Sequence, residues 1–251
     1  MIERRKPAAP GRRPRASTKQ TATGDLFVAA RPRPPKTERT DSYDPDCTQC
    51  PRLAEFLAEV HHKYPSYWAR PVPSFGADAP RIVIVGLAPG MHGANQTGRP
   101  FTGDYAGILL YETLYEFGLA TRPQSISADD GLELRNARIV NAVKCLPPEN
   151  KPLPDEIRRC NAYLRTELQA LSSARVILGL GRIAHDGVLL ARGLKSREFT
   201  FGHGREHRLD ATTHLVNSYH CSRYNTQTRR LTAEMFKTVV ARACELAGLS
   251  K

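Results

Sequence analysis

Arg81-Ile82-Val83-Ile84-Val85-Gly86-Leu87 runs between Pro80 and Pro89 and decides the architecture. Four consecutive β-branched residues favour a strand, and the lack of polar alternation predicts one covered on both faces. Such strands belong to parallel sheets held between layers of helix. Three further runs repeat the signal: Arg138-Ile-Val-Asn-Ala-Val143, Arg175-Val-Ile-Leu-Gly-Leu180 and the weaker His214-Leu-Val-Asn217.

Between these runs the apolar spacing becomes helical. Ile108, Leu109, Thr113, Leu114 and Phe117 share one face, as do Ile157, Cys160, Leu164, Leu168 and Leu171. Pro154-Asp155-Glu156 suits a helix start, where Pro forfeits no bond and acidic groups meet the positive end of the dipole. A third helix is expected over 182–190. Met235, Val239, Val240, Ala243 and Leu246 predict a last one, capped by Thr232. Alternating strands and helices predict a three-layer α/β/α fold with a central four-stranded parallel sheet. Ligands of such sheets bind beyond the C-terminal strand ends, which points to residues 88–104, 144–151 and 218–230.

The 251 residues include 37 Lys and Arg against 25 Asp and Glu, a net charge of +12. Residues 1–40 hold 11 of the basic and 3 of the acidic groups, with six Pro and few large apolar side chains. That stretch cannot bury enough surface to offset its ordering entropy. It is expected to be a disordered basic tail, with 41–251 as the folded domain. A transit peptide is also Arg-rich, but the Pro density disfavours the amphipathic helix it needs. Positive charge favours polyanionic partners without specifying one. No apolar run approaches the ~18 residues of a membrane span, so neither insertion nor export is expected.

Six cysteines stand at 47, 50, 145, 160, 221 and 244. Without signs of export, a disulfide framework is a poor reading. Cys47-Thr-Gln-Cys50 is a metal or redox spacing, Cys145 follows the second strand, and Cys160 lies on the apolar face of the next helix. Four such thiols fit an iron–sulfur cluster or zinc, and buried free thiols are the plain alternative. Cys244 reads as a core residue of the last helix.

Three segments carry chemistry. The first is Gly86-Leu-Ala-Pro-Gly-Met-His-Gly-Ala-Asn-Gln-Thr-Gly-Arg-Pro-Phe-Thr-Gly-Asp104, nineteen residues expected to form a functional loop. The second is Asn141-Ala-Val-Lys-Cys145-Leu-Pro-Pro148; an Asn at a strand end can turn the chain or read an amide edge, donating once and accepting once. The third is His220-Cys-Ser-Arg-Tyr-Asn-Thr-Gln-Thr-Arg-Arg230, whose mixture of His, Tyr and Arg suits backbone and base contacts on nucleic acid.

Taken in order with the four thiols, these segments resemble the family 5 uracil-DNA glycosylases, the iron–sulfur members of that superfamily, close to family 4. The resemblance covers about residues 44–248. It implies hydrolysis of the N-glycosidic bond of uracil, and of other deaminated bases such as hypoxanthine, in damaged DNA, with the nucleotide flipped from the stack. It assigns base stacking to Phe101, the base edge to Asn141, and stabilisation of the departing base to His220. Other families place a carboxylate where this chain has Leu87; here the resemblance gives that role to Asp104, steadying an oxocarbenium-like sugar or orienting water. Asp104 also suits a helix N-cap, and the two roles are compatible. His92 and Asn95 are further candidates for positioning water or base. No lysine matches a Schiff-base position, so a monofunctional enzyme is expected.

The resemblance also implies that Cys47, Cys50, Cys145 and Cys160 ligate a structural 4Fe-4S cluster, tying the N-terminal segment to the helix of Cys160. Cys221 departs from the small apolar residue usual after the motif His and reads as a neighbour of the site. Arg223, Tyr224, Gln227 and Arg229 are expected on the DNA, Tyr224 or Gln227 filling the gap left by the flipped base. Arg205 and His207, beside Phe201-Gly-His-Gly204, are candidates for phosphate contact.

In the tail, Asp25-Leu26-Phe27 resembles the end of peptides that bind the bacterial sliding clamp, although Thr23 stands where their Gln would. The protein is expected to act as a monomer in the cytoplasm of a bacterium, associated with the nucleoid and not with a membrane. Two other readings compete: a non-catalytic iron–sulfur module binding nucleic acid, and a redox protein using Cys47 and Cys50. The joint presence of Asp104, Asn141 and His220 favours the enzyme.

Overall fold

The structure, a computed structural model, describes residues 42–249. The basic tail and its Asp25–Phe27 segment lie outside them. The chain order is α1 (Pro51–Lys63), β1 (Phe75–Gly76), β2 (Ile82–Gly86), α2 (Ala94–Thr97), α3 (Tyr105–Glu116), β3 (Ala137–Asn141), α4 (Pro154–Ala170), β4 (Val176–Leu180), α5 (Arg182–Ala191), β5 (Glu206–Arg208), β6 (His214–Ser218), α6 (Arg223–Gln227) and α7 (Ala233–Leu246). No helix among the described residues is long and apolar enough to cross a membrane.

The sheet order is β1-β3-β2-β4-β6-β5. Its four central strands are parallel, with Ile84 opposite both Ile139 and Leu178. The expected four-stranded core is therefore extended by two short antiparallel edges, β1 on β3 and β5 on β6. All five residues of β2 are buried. They alternate between faces: Ile82 and Ile84 pack with Leu110, Leu114, Phe236 and Val240, whereas Val83 and Val85 pack with Leu164, Leu168, Val188 and Leu189. Each of the four central strands thus contributes to two cores, the reason their sequences are largely apolar.

The predicted helices form where expected. Thr232 accepts the Met235 N–H at 3.2 Å and caps α7, and Cys244 is buried within it. Two corrections concern the long loops. Residues 86–104 include the single turn of α2, and 218–230 include α6, whose cap Ser222 accepts the Asn225 N–H. Helix α1 is an element that the sequence reading did not identify. It packs Leu53, Leu57 and Val60 on Val143 and Leu146, away from the two main cores. Arg52 ties it to α4 through Glu156, at 2.7 and 2.8 Å.

Candidate active site

Phe101, Asp104, Asn141 and His220 meet at the C-terminal ends of the parallel strands. Gly86 and Asn141 end β2 and β3 and lie side by side in register. A Cβ on Gly86 would stand 2.5 Å from Asn141 Oδ1 and 2.8 Å from the Phe101 ring. Only glycine lets amide and ring close over the strand end. Asn141 is buried, and its Oδ1 has no protein partner. An orphaned buried acceptor costs about 1–3 kcal/mol, which a ligand N–H or an ordered water would recover.

Phe101 sits at φ 54°, a strained value for a bulky residue. Helix α3 holds it there. Tyr111 donates to Pro100 O at 2.8 Å, and the bare Cα of Gly107 receives the Phe101 carbonyl, where a Cβ would come within 1.9 Å. The Phe101 ring stacks near His220, with centroids 5.8 Å apart and planes 28° apart. Burial pushes His220 down to about 4, so at neutral pH it is an uncharged imidazole. Asn225 Nδ2 donates to the His220 carbonyl at 2.8 Å and fixes the backbone there.

Asp104 caps α3: Oδ1 accepts the Gly107 N–H at 3.0 Å. Burial raises its pKa, against the opposing pull of the Gly107 and Ala106 N–H groups. Oδ2 faces Gly90 and Gly93, and a Cβ on Gly93 would lie 2.4 Å from it. These glycines leave one oxygen of a desolvated carboxylate free of side-chain cover. Cys221 is fully buried, and its thiol is pushed up by burial and then by the Asp104 charge.

The other candidates are placed differently. His92 is exposed and turned to another cluster: its Nδ1 bonds Tyr67 Oη at 2.8 Å, and its ring meets Tyr64 and Tyr67 edge-on. Asn95 is buried in α2 with neither amide atom partnered by protein. Arg223, Tyr224, Gln227 and Arg229 are all exposed around α6, with Tyr224 70 % accessible and the Arg223 guanidinium 5.4 Å from the Tyr105 ring centre. His207 bonds Thr200 O at 3.0 Å, which commits one ring nitrogen; Arg205 is exposed.

Sequence reading missed the strut beneath the first loop. Arg99 is buried and paired with Asp130 at 2.6 Å; it also donates to Ser125 and Thr102 hydroxyls and lies 4.8 Å from the Phe75 ring centre. The signal available was Arg99 itself, within a loop otherwise poor in charge.

Cys47, Cys50, Cys145 and Cys160 line one cavity with Gln49, Leu53, Val143 and Tyr163. Burial raises the Cys145 thiol and lifts Cys160 to about 11, and the other thiols add to both. Four thiolates could coexist there only around compensating positive charge. The Lys144 backbone N–H already points at Cys160 Sγ, 3.3 Å away. Among the described residues no three Cys, His, Asp or Glu side chains converge on a point for a single metal ion. A lining of four thiols is the donor chemistry of a thiolate-ligated group, iron–sulfur or zinc.

The sequence model of the uracil DNA glycosylase superfamily matches residues 73–244. The chain is 48 % identical over 208 residues to the type-5 uracil-DNA glycosylase of Thermus thermophilus, an alignment covering 81 % of this chain and 94 % of that protein. It is 41 % identical over 207 residues to the type-5 enzyme of Pyrobaculum aerophilum, covering 81 % and 90 %. With the type-4 uracil-DNA glycosylase of Archaeoglobus fulgidus it shares 39 % over 114 residues, 45 % of this chain and 49 % of the other. Strand-end geometry and sequence similarity thus lead to one family: this chain belongs to the uracil-DNA glycosylase superfamily, among its type-5 members.

Proposed function

We propose that the protein excises uracil, and other deaminated bases such as hypoxanthine, from DNA by hydrolysing the N-glycosidic bond, and that it leaves the abasic strand intact. The observation that carries this reading is the unpartnered, buried Asn141 Oδ1 beside the Phe101 ring. Uracil and hypoxanthine both present a ring N–H next to a carbonyl oxygen. With Oδ1 accepting the N–H and Nδ2 donating to the carbonyl, one amide reads either base. Stacking on Phe101 holds the plane.

As the bond breaks, negative charge grows on the base and positive charge on the sugar. Neutral His220 keeps one ring N–H, which is suited to donate a hydrogen bond to the base oxygen as negative charge grows there. Asp104 Oδ2, facing Gly90 and Gly93, is suited to face the cationic sugar and orient the water that adds to it. Exposed Tyr224, with the arginines around it, is suited to fill the vacated stack.

The test uses labelled duplexes carrying uracil or hypoxanthine, in excess EDTA, followed by alkali. Strand breaks appearing only after alkali are expected. Breaks before alkali would refute monofunctional action, and no breaks at all would favour a non-catalytic DNA-binding module.

The thiol cavity would hold a 4Fe-4S cluster on Cys47, Cys50, Cys145 and Cys160. When bound it would supply a cross-link between the N-terminal segment, the end of β3 and α4, since hydrolysis moves no electrons. Purification without oxygen should therefore yield a brown protein with visible charge-transfer absorbance. Cys50→Ala should bleach it and lower the melting temperature by several degrees, by analogy with lost structural metal. A colourless wild-type protein containing stoichiometric zinc would overturn this assignment.

A further inference from the structure

Ile126 is 69 % exposed, yet the loop carrying it is tightly anchored. Asp130 accepts the N–H groups of Ile126 at 2.8 Å and Leu132 at 2.9 Å and meets the buried Arg99 guanidinium at 2.6 Å. Ser125 bonds both Arg99 and Thr102 at 2.6 Å. The Gly103 N–H donates to Ser125 O at 3.1 Å, which fastens the loop to the chain immediately ahead of Asp104. A buried ion pair that holds a large apolar side chain out in water does nothing for that side chain's own stability. The arrangement makes physical sense if something apolar covers Ile126 during function.

Its surroundings indicate what. Tyr105 and Ile108 are exposed on the first turns of α3, directly after Asp104. Arg223 lies over the Tyr105 ring, and the exposed Arg122 carries its guanidinium against Gly131 of the same loop. The acidic Asp129 accepts the Ser127 hydroxyl at 2.6 Å. The rim next to Asp104 therefore combines large apolar side chains with two arginines, Arg122 and Arg223, and one acid, Asp129. Duplex DNA opened at one nucleotide has the complementary chemistry, with apolar base faces flanked by phosphates.

We propose that the 125–132 loop is a DNA-engaging element and that Ile126 packs against the base pair beside the extruded nucleotide, a contact additional to that of Tyr224. The inference rests on the glycosylase reading above. A rigid apolar contact at the opened step supports extrusion from a paired stack. Single strands have no paired stack to open, so they depend on it less.

The experiment compares single-turnover excision of uracil from a duplex and from the same strand alone, using the full-length protein and its Ile126→Asp and Ile126→Leu variants. For Ile126→Asp the duplex-to-single-strand rate ratio should fall by about tenfold or more, equivalent to losing one favourable stacking contact. For Ile126→Leu it should stay within about twofold, since the apolar surface is kept. An unchanged ratio in Ile126→Asp, with wild-type excision intact, would overturn the role of the loop alone. Wild-type protein that excises uracil from neither substrate would overturn the glycosylase reading and this inference with it.

Discussion

Asp104→Asn should lose about two to four orders of magnitude in kcat, the range for a carboxylate acting at the transition state, while the protein stays at least as stable at neutral pH. The two outcomes share one cause. Asn caps a helix as well as Asp does, so the bond from the Gly107 N–H survives. What disappears is a charge that burial makes unwelcome. Because the folded pKa of Asp104 is raised, the carboxyl favours the fold most while protonated. That contribution is complete below the unfolded value and is lost as pH rises through the folded one. At neutral pH the ionised group is a net cost to folding, and the neutral amide removes it. Loss of the favourable interaction with the helix dipole works against this gain and limits it. The same shift fixes the pH profile. Activity that needs the carboxylate should fall on the acid side with an apparent pKa above the ordinary Asp value of 3.8. His220, uncharged above about 4, should add no break near neutrality. Steady-state rates across pH, with thermal melts of both proteins, test this. Turnover within threefold of wild type, or a clear drop in melting temperature, would show Asp104 to be a structural cap.

The parallel strands were legible because burial on both faces leaves a single physical option for a short β-branched run. Thus Ile82–Gly86 stands where the sequence puts it, and the loops after it and after Asn141 converge as parallel topology requires. The edges were not legible for the converse reason. Phe75–Gly76 is only two residues long, and Glu206–Arg208 is polar and largely exposed. Both strands form because the outer strands β3 and β6 still had open hydrogen-bonding edges, a property of the assembled sheet. Helix α1 shows apolar spacing at Leu53, Leu57 and Val60, but its partner surface is Val143 and Leu146 beside the thiol cavity, a contact no local pattern announces. Helix α6 owes its single turn to the Ser222 cap and has no periodicity to read. Within the site, Asn141 stood out by its amide at a strand end, whereas the roles of Asp104 and His220 came from the family resemblance. Their environments did not follow from type: neutral His220, desolvated Asp104 and strained Phe101 all depend on what packs around them.

Arg99→Met should destabilise the fold by about 3–5 kcal/mol, the usual cost of removing one partner from a buried ion pair. Methionine replaces the apolar stem but leaves Asp130, the Ser125 hydroxyl and the Thr102 hydroxyl without their shared donor. Asp130 feels two opposing influences. Desolvation raises its pKa, but the Arg99 hydrogen bond and the N–H groups of Leu132 and Ile126 outweigh it and hold the carboxyl at about 2. A depressed carboxylate contributes stability that is full above its unfolded value and vanishes as pH falls through the folded one. Wild-type stability should therefore decline between about pH 4 and pH 2 in part through this pair, and Arg99→Met should show a shallower decline there. The consequence reaches the site because Arg99 and Phe101 flank Pro100, and because Thr102 and Gly103 are fastened to Ser125. Once the strut is gone, only the α3 contacts hold Phe101 at φ 54°, and its ring is less firmly kept in its place over Gly86. KM for uracil-containing duplex should then rise by more than kcat falls, since base stacking precedes bond cleavage. Chemical denaturation at neutral and acid pH, with steady-state kinetics at a temperature where the variant remains folded, measures both effects. A loss below about 1 kcal/mol together with an unchanged KM would mean that the Arg99–Asp130 pair is replaceable and that the first loop holds its shape without it.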